Sequence, residues 1–215
     1  IRIRPHSEFA MPLHDWISPR HLDVPSSSAF ARAKPFPHIV LQGFLKPRIA
    51  DALAAALRKQ TFTRKETDLY SLSQTHDLTH TDDPTLRAFH HILTTSELRN
   101  YLLTLTGVKV GTTIDMSGFT YTDGDHLLCH DDKLEGRALA YILNLSRELG
   151  RSDGGELELL SSQNGKPHCS VKLIPPTYNT LTLFKVTPTS FHQVREVLIQ
   201  KNRLTLGGWF HAIRR

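Results

Sequence analysis

The sequence is poor in cysteine and has no long apolar run, and each absence excludes a class of protein. Cys129 and Cys169 are the only cysteines, too few for a disulfide framework and without the paired spacing of a zinc site. No window approaches the roughly 18 uninterrupted apolar residues that a membrane helix needs. The segment after Ile1 also lacks the order of basic and then apolar residues that marks a secretion signal. We therefore expect a soluble, non-secreted protein of a reduced compartment, the cytoplasm or the nucleus.

The charge balance and the length favour one globular domain. Lys and Arg number 26 against 21 Asp and Glu, and this small excess is spread along the chain. Such a distribution is more typical of a solvated surface than of a nucleic-acid footprint. A chain of 215 residues, 39% of them hydrophobic, is long enough to bury a core around a ligand cavity. Because the first residue is Ile1 rather than Met, we expect a trimmed form of a longer protein.

The chain begins with a stretch that has no periodic pattern. Residues 1–35 mix Pro, Ser, Arg and His, which predicts an extended or partly ordered extension before a single domain at 36–215. A helix should begin at Pro47, after which apolar residues recur every four positions. The polar stretch 61–83, which includes Tyr70, is typical of a long loop or a mobile flap.

Two more helices are predicted before the middle of the chain. Asp83 and Pro84 supply a cap and a first-turn proline for one of them. Ser96 should cap the next, which should end at Gly107. The first half of the domain is therefore predicted to be mainly helical.

From residue 109 onward the pattern has a period of two, with turn residues between the apolar runs, which predicts strands. The predicted strands lie near residues 112–121, 127–130, 138–145, 155–160, 170–174, 180–186, 191–197 and 203–211. About eight short antiparallel strands preceded by helices predict an α+β fold, a double-stranded β-helix or jelly roll with supporting N-terminal helices.

A His-x-Asp pair follows one predicted strand. His130 and Asp132 come directly after an apolar run and before a charged loop. Because alternate side chains of an extended segment share a face, the imidazole and the carboxylate should point to the same side. The motif alone is weak, since a sequence with 13 histidines produces such pairs by chance. A metal site needs a third ligand.

His192 is the candidate for that third ligand. It lies on a predicted core strand between Phe191 and Val194. A lone histidine there is more often a hydrogen-bonded core residue. Together with His130 and Asp132, however, it completes the set of two imidazoles and one carboxylate that binds Fe(II) in non-haem oxygenases and leaves positions open for substrate and oxygen.

An arginine on the last predicted strand suggests what fills those open positions. Alternation places Arg203 and Thr205 opposite Leu204 and Leu206. A buried guanidinium needs an anion, because an unpaired buried charge costs several kcal/mol. A 2-oxo dicarboxylate provides one: its far carboxylate can bind Arg203, helped by Thr205 or Tyr121, while its oxo acid end chelates iron. The alternative is an ordinary ion pair between Arg203 and an acid at a sheet edge.

Three stretches carry a family resemblance: residues 121–137 (YTDGDHLLCHDDKLEGR), 173–194 (LIPPTYNTLTLFKVTPTSFHQV) and 203–211 (RLTLGGWFH). They resemble the ribosomal prolyl hydroxylases, which are prolyl 4-hydroxylase-like 2-oxoglutarate/Fe(II) oxygenases. The similarity covers roughly residues 36–213. Motifs of this length are far more specific than His-x-Asp.

The resemblance implies a jelly-roll catalytic domain that uses Fe(II), 2-oxoglutarate and O2, with ascorbate as an allowed addition. It implies hydroxylation of one proline in the small-subunit ribosomal protein at the decoding centre, with an effect on translation accuracy or termination and with ribosomal RNA nearby. His130, Asp132 and His192 match the family's iron ligands, and Arg203 and Tyr121 match groups that hold 2-oxoglutarate.

The chain departs from the family pattern at two points. Asn144 stands where the family usually has a tyrosine, and its shorter amide could still donate a hydrogen bond to the cosubstrate. Family members also have a second, degenerate jelly-roll domain, so this chain is expected to be an excised catalytic domain or a single-domain relative.

Other functions remain open at this point. An oxygenase acting on another protein, a small molecule or a nucleic-acid base would have the same fold and triad. A non-catalytic jelly-roll module with a structural metal is disfavoured, because structural sites are normally closed by protein ligands. A zinc hydrolase is disfavoured further, since no general base is evident near the triad.

Overall fold

Five helices and eleven strands make up the described part of the chain, residues 11–23, 27–147, 149–150 and 152–213 of a computed structural model. The helices are α1 (Leu13–Trp16), α2 (Ser28–Arg32), α3 (Pro47–Arg58), α4 (Pro84–Thr94) and α5 (Ser96–Thr106), with a 3-10 turn at Pro19–His21. The strands are β1 (His38–Gln42), β2 (Thr63–Glu66), β3 (Tyr70–Gln74), β4 (Ser117–Tyr121), β5 (His126–His130), β6 (Arg137–Asn144), β7 (Leu157–Gln163), β8 (Lys166–Ile174), β9 (Thr180–Lys185), β10 (His192–Val194) and β11 (Arg203–His211).

The strands form one curled sheet in which every pair of neighbouring strands is antiparallel. Their order is β1-β9-β6-β11-β4-β3-β5-β10-β7-β8, and β2 pairs with β3. This arrangement confirms the predicted jelly roll with supporting helices. Each predicted strand is present, and β11 has the predicted bounds. The strand expected at 112–121 begins only at Ser117, and three strands precede it, so the first half is less helical than predicted.

Alternation along β11 separates a core from a cavity. Leu204 and Leu206 pack into the hydrophobic core between the sheet and the helices, whereas Arg203 and Thr205 line a cavity inside the curl. The same division holds on β9, where Leu183 faces the helices. The alternation of residues along each strand therefore gives the sheet one apolar face toward the helices and one face that lines the cavity.

Local capping explains where α4 and α5 begin and end. The Asp83 carboxylate accepts hydrogen bonds from the backbone N–H groups of Thr85 and Leu86, as expected of an N-cap. The predicted cap Ser96 is wrong by one residue, because the Thr95 hydroxyl accepts from the Leu98 N–H. Gly107 ends α5 with a left-handed φ of 71°, as predicted. Within the described residues, no helix combines the length and the apolar character that a membrane crossing requires.

The stretch predicted as a loop or flap is instead a packed hairpin. β2 pairs with β3, and β3 pairs in turn with β4 and β5. Asp125, which is almost fully buried, fastens the hairpin: its carboxylate accepts from Arg64 Nη1 at 2.6 Å and from Ser71 Oγ at 2.8 Å. The contact with Arg64 is charge-assisted, with the carboxylate buried and the arginine side chain half exposed, and charge-assisted hydrogen bonds are stronger than neutral ones. The loop or flap prediction is therefore wrong for 63–74, whereas residues 75–83 contain neither helix nor strand, as predicted.

The predicted N-terminal arm is also packed where it is described. Leu13, Trp16 and Phe30 are buried in the helix-side core. The expectation of an extended arm is wrong for 11–23 and 27–35, while residues 1–10 and 24–26 lie outside the described part. The domain boundary at residue 36 stays a prediction.

A buried histidine joins the two ends of the sheet order. His38 on β1 places Nδ1 at 2.8 Å from the Phe36 carbonyl oxygen and Nε2 at 2.9 Å from Lys172 Nζ on β8. Since the carbonyl can only accept, Nδ1 carries the proton and Nε2 accepts from the ammonium. Burial, followed by the charge of Lys172, lowers the pKa of His38 against the opposing effect of the Phe36 carbonyl.

We expect His38 to make folding stability depend on pH. Its pKa is lowered in the folded state, so its stabilising effect is present above the unfolded-state value and is lost as the pH falls below it. His38→Gln keeps an acceptor for Lys172 and removes the titration. The wild type should lose stability on acidification more steeply than this variant, by at most about 1.4 kcal/mol per pH unit.

The measurement is the urea midpoint at neutral and mildly acidic pH. His168→Gln, at an exposed histidine of β8, is the matched control and should keep the wild-type slope. Equal slopes for the wild type and His38→Gln would contradict the assignment.

Candidate active site

Two histidines and one aspartate converge on the wall of the cavity inside the curl. β5 and β10 pair so that His130 and His192 are register partners. Asp132 lies between them: its Oδ1 is 3.3 Å from His130 Nε2 and its Oδ2 is 3.3 Å from His192 Nε2. One ligand atom from each residue falls within 4.8 Å of the other two. Three side chains of this chemistry at this spacing could hold one metal ion, and two nitrogens with one carboxylate oxygen suit Fe(II).

Backbone carbonyls orient both imidazoles. His130 Nδ1 lies 2.8 Å from the Leu128 carbonyl oxygen, and His192 Nδ1 lies 2.8 Å from that of Ser190. A carbonyl fixes the proton on Nδ1 and thereby leaves the Nε2 lone pair for a metal. The backbone partners thus direct both Nε2 atoms to the same point.

The backbone conformation that places Asp132 beside the two imidazoles differs from the extended one that was predicted. β5 ends at His130, and Asp132 adopts a left-handed φ of 60°. Strand alternation therefore does not extend to Asp132, and a turn brings its carboxylate back beside the imidazole. Aspartate is among the few side chains that tolerate this conformation.

The electrostatics of the cluster favour an ionised carboxylate. Burial alone would raise the pKa of Asp132, but hydrogen bonds from His130 and His192 outweigh it and hold the pKa far below its usual range. Burial likewise opposes protonation of His130, yet Asp132 raises the pKa of that imidazole overall. The carboxylate is therefore available as a charged ligand at any physiological pH.

Arg203 supplies a buried cation on the same cavity wall. Its side chain is 1% exposed, and its Nε donates to the Gly155 carbonyl oxygen at 2.7 Å. Gly155 has a left-handed φ of 73°, and a Cβ there would lie 3.0 Å from Arg203 Cδ, so the glycine makes room for the arginine. Among the described residues, no carboxylate lies within ion-pairing distance of Arg203, and Nη2 has no hydrogen-bond partner.

Tyr121 lies beside this cation. It is the register partner of Arg203, and its ring centroid is 5.1 Å from the guanidinium carbon. Burial raises the pKa of Tyr121 to about 12, so its hydroxyl stays protonated and can donate. An unpaired guanidinium N–H and a phenol O–H at the same place fit the far carboxylate of a dicarboxylate.

The predicted site residues share one cavity, with one exception. The cavity measures about 560 Å³ and is lined by His130, Asp132, His192, Arg203, Tyr121 and Thr205, among others. Asn144 is the register partner of Thr205 but does not line the cavity, and its buried Oδ1 has no hydrogen-bond partner among the described residues. Its role toward the cosubstrate stays a prediction.

Sequence reasoning missed, among other lining residues, a cation on the cavity wall and its contact with an aromatic ring. Arg137, the first residue of β6, places its guanidinium carbon 3.3 Å from the centroid of the Trp209 ring. The Trp209 indole N–H donates to Asp132 Oδ2 at 3.0 Å. Trp209 lies in the stretch 203–211 that carries the family resemblance, and its donor-only indole on the cavity face of β11 was the available signal for a polar partner.

Known proteins resemble this chain in sequence and in fold. The chain is 42% identical over 181 residues to prolyl 3-hydroxylase OGFOD1 of Xenopus laevis, covering 83% of this chain and 35% of the relative. It is 33% identical over 205 residues to prolyl 3,4-dihydroxylase OGFOD1 of Ostreococcus tauri, covering 87% and 40%. The chain thus spans well under half the length of these relatives. A prolyl-4-hydroxylase structure from Pseudomonas putida has the same fold, with a TM-score of 0.66 at 18% identity and coverage of 82% and 92%.

Residues 116–211 match the family described as the 2OG-Fe(II) oxygenase superfamily. The matched segment contains His130, Asp132, His192 and Arg203. Enzymes of this superfamily use Fe(II), 2-oxoglutarate and O2, and the donor set of the cluster and the unpaired guanidinium fit the first two. The chain therefore contains a 2OG-Fe(II) oxygenase domain, and it is similar over most of its length to prolyl hydroxylases.

Proposed function

We propose that this chain is the catalytic domain of a Fe(II)- and 2-oxoglutarate-dependent prolyl hydroxylase that acts on a protein. The observation that carries the proposal is one cavity that holds both the His-Asp-His cluster and an unpaired, buried guanidinium. A metal site alone would not need the arginine, and a binding site for a carboxylate alone would not need the cluster. A 2-oxo dicarboxylate chelated to iron uses both.

The proposed division of roles follows from the contacts. His130, Asp132 and His192 would hold Fe(II), while Arg203, with Tyr121 and Thr205, would hold the far carboxylate of 2-oxoglutarate. Bound iron and cosubstrate would supply the oxidation, in which 2-oxoglutarate loses carbon dioxide to become succinate, and O2 gives one oxygen atom to succinate and one to a substrate C–H bond. The chain itself orients the cosubstrate through the fixed Arg203 and keeps both imidazoles in the metal-binding tautomer.

The apolar part of the cavity supports a role in excluding water. Leu72, Leu127, Ile142, Val194 and Phe184 line it beside the polar groups. A low-polarity wall strengthens the interaction of Arg203 with a carboxylate and limits side reactions of the cosubstrate. Tyr70 and Leu134 also line the cavity and are candidate contacts for a peptide.

For the substrate we propose a proline of the small-subunit ribosomal protein at the decoding centre, in the cytoplasm or nucleus. Two similarities support this. The relatives are named prolyl hydroxylases, and the motifs around the cluster resemble the ribosomal prolyl hydroxylases. The net charge of +5 does not favour a basic ribosomal protein, but it is compatible with ribosomal RNA beside the substrate.

The test is turnover of a peptide from that ribosomal protein. Protein prepared without oxygen receives Fe(II), 2-oxoglutarate, the peptide and then O2. We expect peptide-dependent succinate and a peptide mass gain of one oxygen atom, located on proline. A peptide with alanine in place of that proline is the control and should give only background succinate.

Two other outcomes would change the proposal. Equal succinate with and without the peptide would keep the oxygenase chemistry and reject this substrate, in favour of another protein, a small molecule or a nucleic-acid base. Absence of both 2-oxoglutarate binding and turnover would favour a non-catalytic module.

A further inference from the structure

Asp132 has a third neighbour besides the two histidines. The Trp209 indole N–H donates to Asp132 Oδ2 at 3.0 Å, a normal hydrogen-bond length. Trp209 lies on β11, opposite Ala140 of β6, and its ring lines the cavity. The indole has one donor and no acceptor, so this contact uses its whole hydrogen-bonding capacity.

Binding of a metal ion would affect the tryptophan contact and the two histidine contacts of Asp132 differently. An imidazole that gives its Nε2 lone pair to a metal cannot donate from Nε2, and both Nδ1 atoms already face carbonyl oxygens. The contacts of Asp132 with His130 and His192 therefore cannot persist as hydrogen bonds once a metal is bound. Among the described residues, Trp209 is then the remaining side-chain donor to the carboxylate.

The backbone around Asp132 offers little other restraint. Asp132 lies in a left-handed turn beyond the end of β5, outside the hydrogen-bonded ladder. A carboxylate on such a turn can rotate about its side-chain bonds, and rotation would change which oxygen faces the metal. An external donor that fixes one oxygen also fixes the direction of the other.

Arg137 in turn fixes the indole. Its guanidinium carbon lies 3.3 Å from the Trp209 ring centroid, close enough for a strong cation–π contact. Nη1 reaches the Asp132 backbone oxygen at 3.5 Å, and Nε lies 4.0 Å from Asp115 Oδ2. Asp115 also contacts His211 Nε2 at 3.0 Å, and His211 is the register partner of Arg137.

We infer that Trp209 is a positioning residue of the metal centre: its N–H holds Asp132 Oδ2 so that the carboxylate presents Oδ1 to the ion, and Arg137 holds the indole in place. This inference rests on the proposed metal-binding role of Asp132. It assigns Trp209 to the metal ligand rather than to peptide recognition. Partners that orient a metal ligand in this way typically contribute 10- to 100-fold to metal affinity.

The test compares Trp209→Phe with Trp16→Phe, since the chain has only these two tryptophans. Trp16 is buried on the helix side beside Phe89, away from the cavity, so it controls for loss of an indole from the fold. Mn(II) serves as the redox-inert probe, and free Mn(II) is measured by its electron paramagnetic resonance signal during titration. Thermal unfolding of each apo protein shows whether the variant is folded.

Trp209→Phe should weaken Mn(II) binding about tenfold or more, whereas Trp16→Phe should match the wild type. Arg137→Met, which removes the cation over the ring, should have a smaller effect in the same direction. With saturating Mn(II), 2-oxoglutarate affinity of Trp209→Phe should stay near the wild-type value, because Arg203 is unchanged.

Equal Mn(II) affinity of the wild type and Trp209→Phe would overturn the inference while leaving the proposed function intact. A wild-type protein that binds no Mn(II) would instead contradict the proposed metal site itself, and the inference with it.

Discussion

Replacing Asp132 by Asn is expected to abolish metal-dependent activity. The substitution keeps the shape of the side chain and removes its charge, which the two histidines hold in the ionised state by keeping the pKa of Asp132 far below its usual range. Two neutral imidazoles and an amide bind a divalent ion much more weakly than a set with a carboxylate. We expect Mn(II) affinity and succinate formation each to fall more than about 100-fold, beyond the effect of losing a supporting residue.

Asp131→Asn is the matched control for this prediction. Asp131 is the chain neighbour of Asp132, but its carboxylate accepts from the Lys133 backbone N–H and does not belong to the cluster. The same chemical change should therefore leave Mn(II) affinity near the wild-type value. If both variants bound Mn(II) equally well, Asp132 would not be a metal ligand.

Replacing Arg203 by Met is expected to separate cosubstrate binding from metal binding. Removing one partner of a buried ion pair costs about 3–5 kcal/mol, which corresponds to a loss of 2-oxoglutarate affinity of about 100-fold or more. Mn(II) affinity should stay near the wild-type value, because Arg203 does not belong to the cluster. Calorimetric titration of 2-oxoglutarate into the Mn(II)-loaded protein measures the difference.

The apo stability of Arg203→Met gives a second, independent readout. Nη2 of Arg203 lacks a hydrogen-bond partner among the described residues, so methionine removes an unsatisfied donor as well as the Nε contact with Gly155. We expect apo unfolding near the wild-type temperature, with loss of the increase that 2-oxoglutarate gives the wild type. Arg195→Met, at an exposed arginine, is the control. Undiminished 2-oxoglutarate affinity in Arg203→Met would reject the proposed cosubstrate site.

The elements predicted well from the sequence are those whose conformation is determined by residues close together in the chain. Alternation fixed the bounds of β11 and the inward direction of Arg203, because one face of that strand packs on the helices. The Asp83 cap and the Gly107 stop are likewise local, since each acts on the backbone of its own helix. His130, Asp132 and His192 were chosen by their chemistry; the pairing of β5 with β10 brings the two histidines together, and the turn after β5 adds Asp132.

The features that the sequence did not predict depend on contacts with distant residues, or on a choice between adjacent residues that can play the same role. β2 is exposed along its whole length and has no apolar pattern. It is held in place by its hydrogen bonds to β3 and by the contact of Arg64 with the buried carboxylate of Asp125, which the local sequence does not reveal. Thr95 and Ser96 can both cap a helix, so the sequence does not choose between them. The turn at Asp132 interrupts the alternation that was used to predict its direction.

The separation of β11 into two faces has a consequence for how this protein can change over evolution. Residues on the helix-side face of β11 are constrained by packing in the core, so replacing them lowers the stability of the fold. Residues on the cavity-side face line the ligand site, so replacing them changes the site and leaves the helix-side core packed. Substitution of Arg203 or Thr205 would therefore change what the cavity binds, while Leu204 and Leu206 keep the same strand packed on the helices.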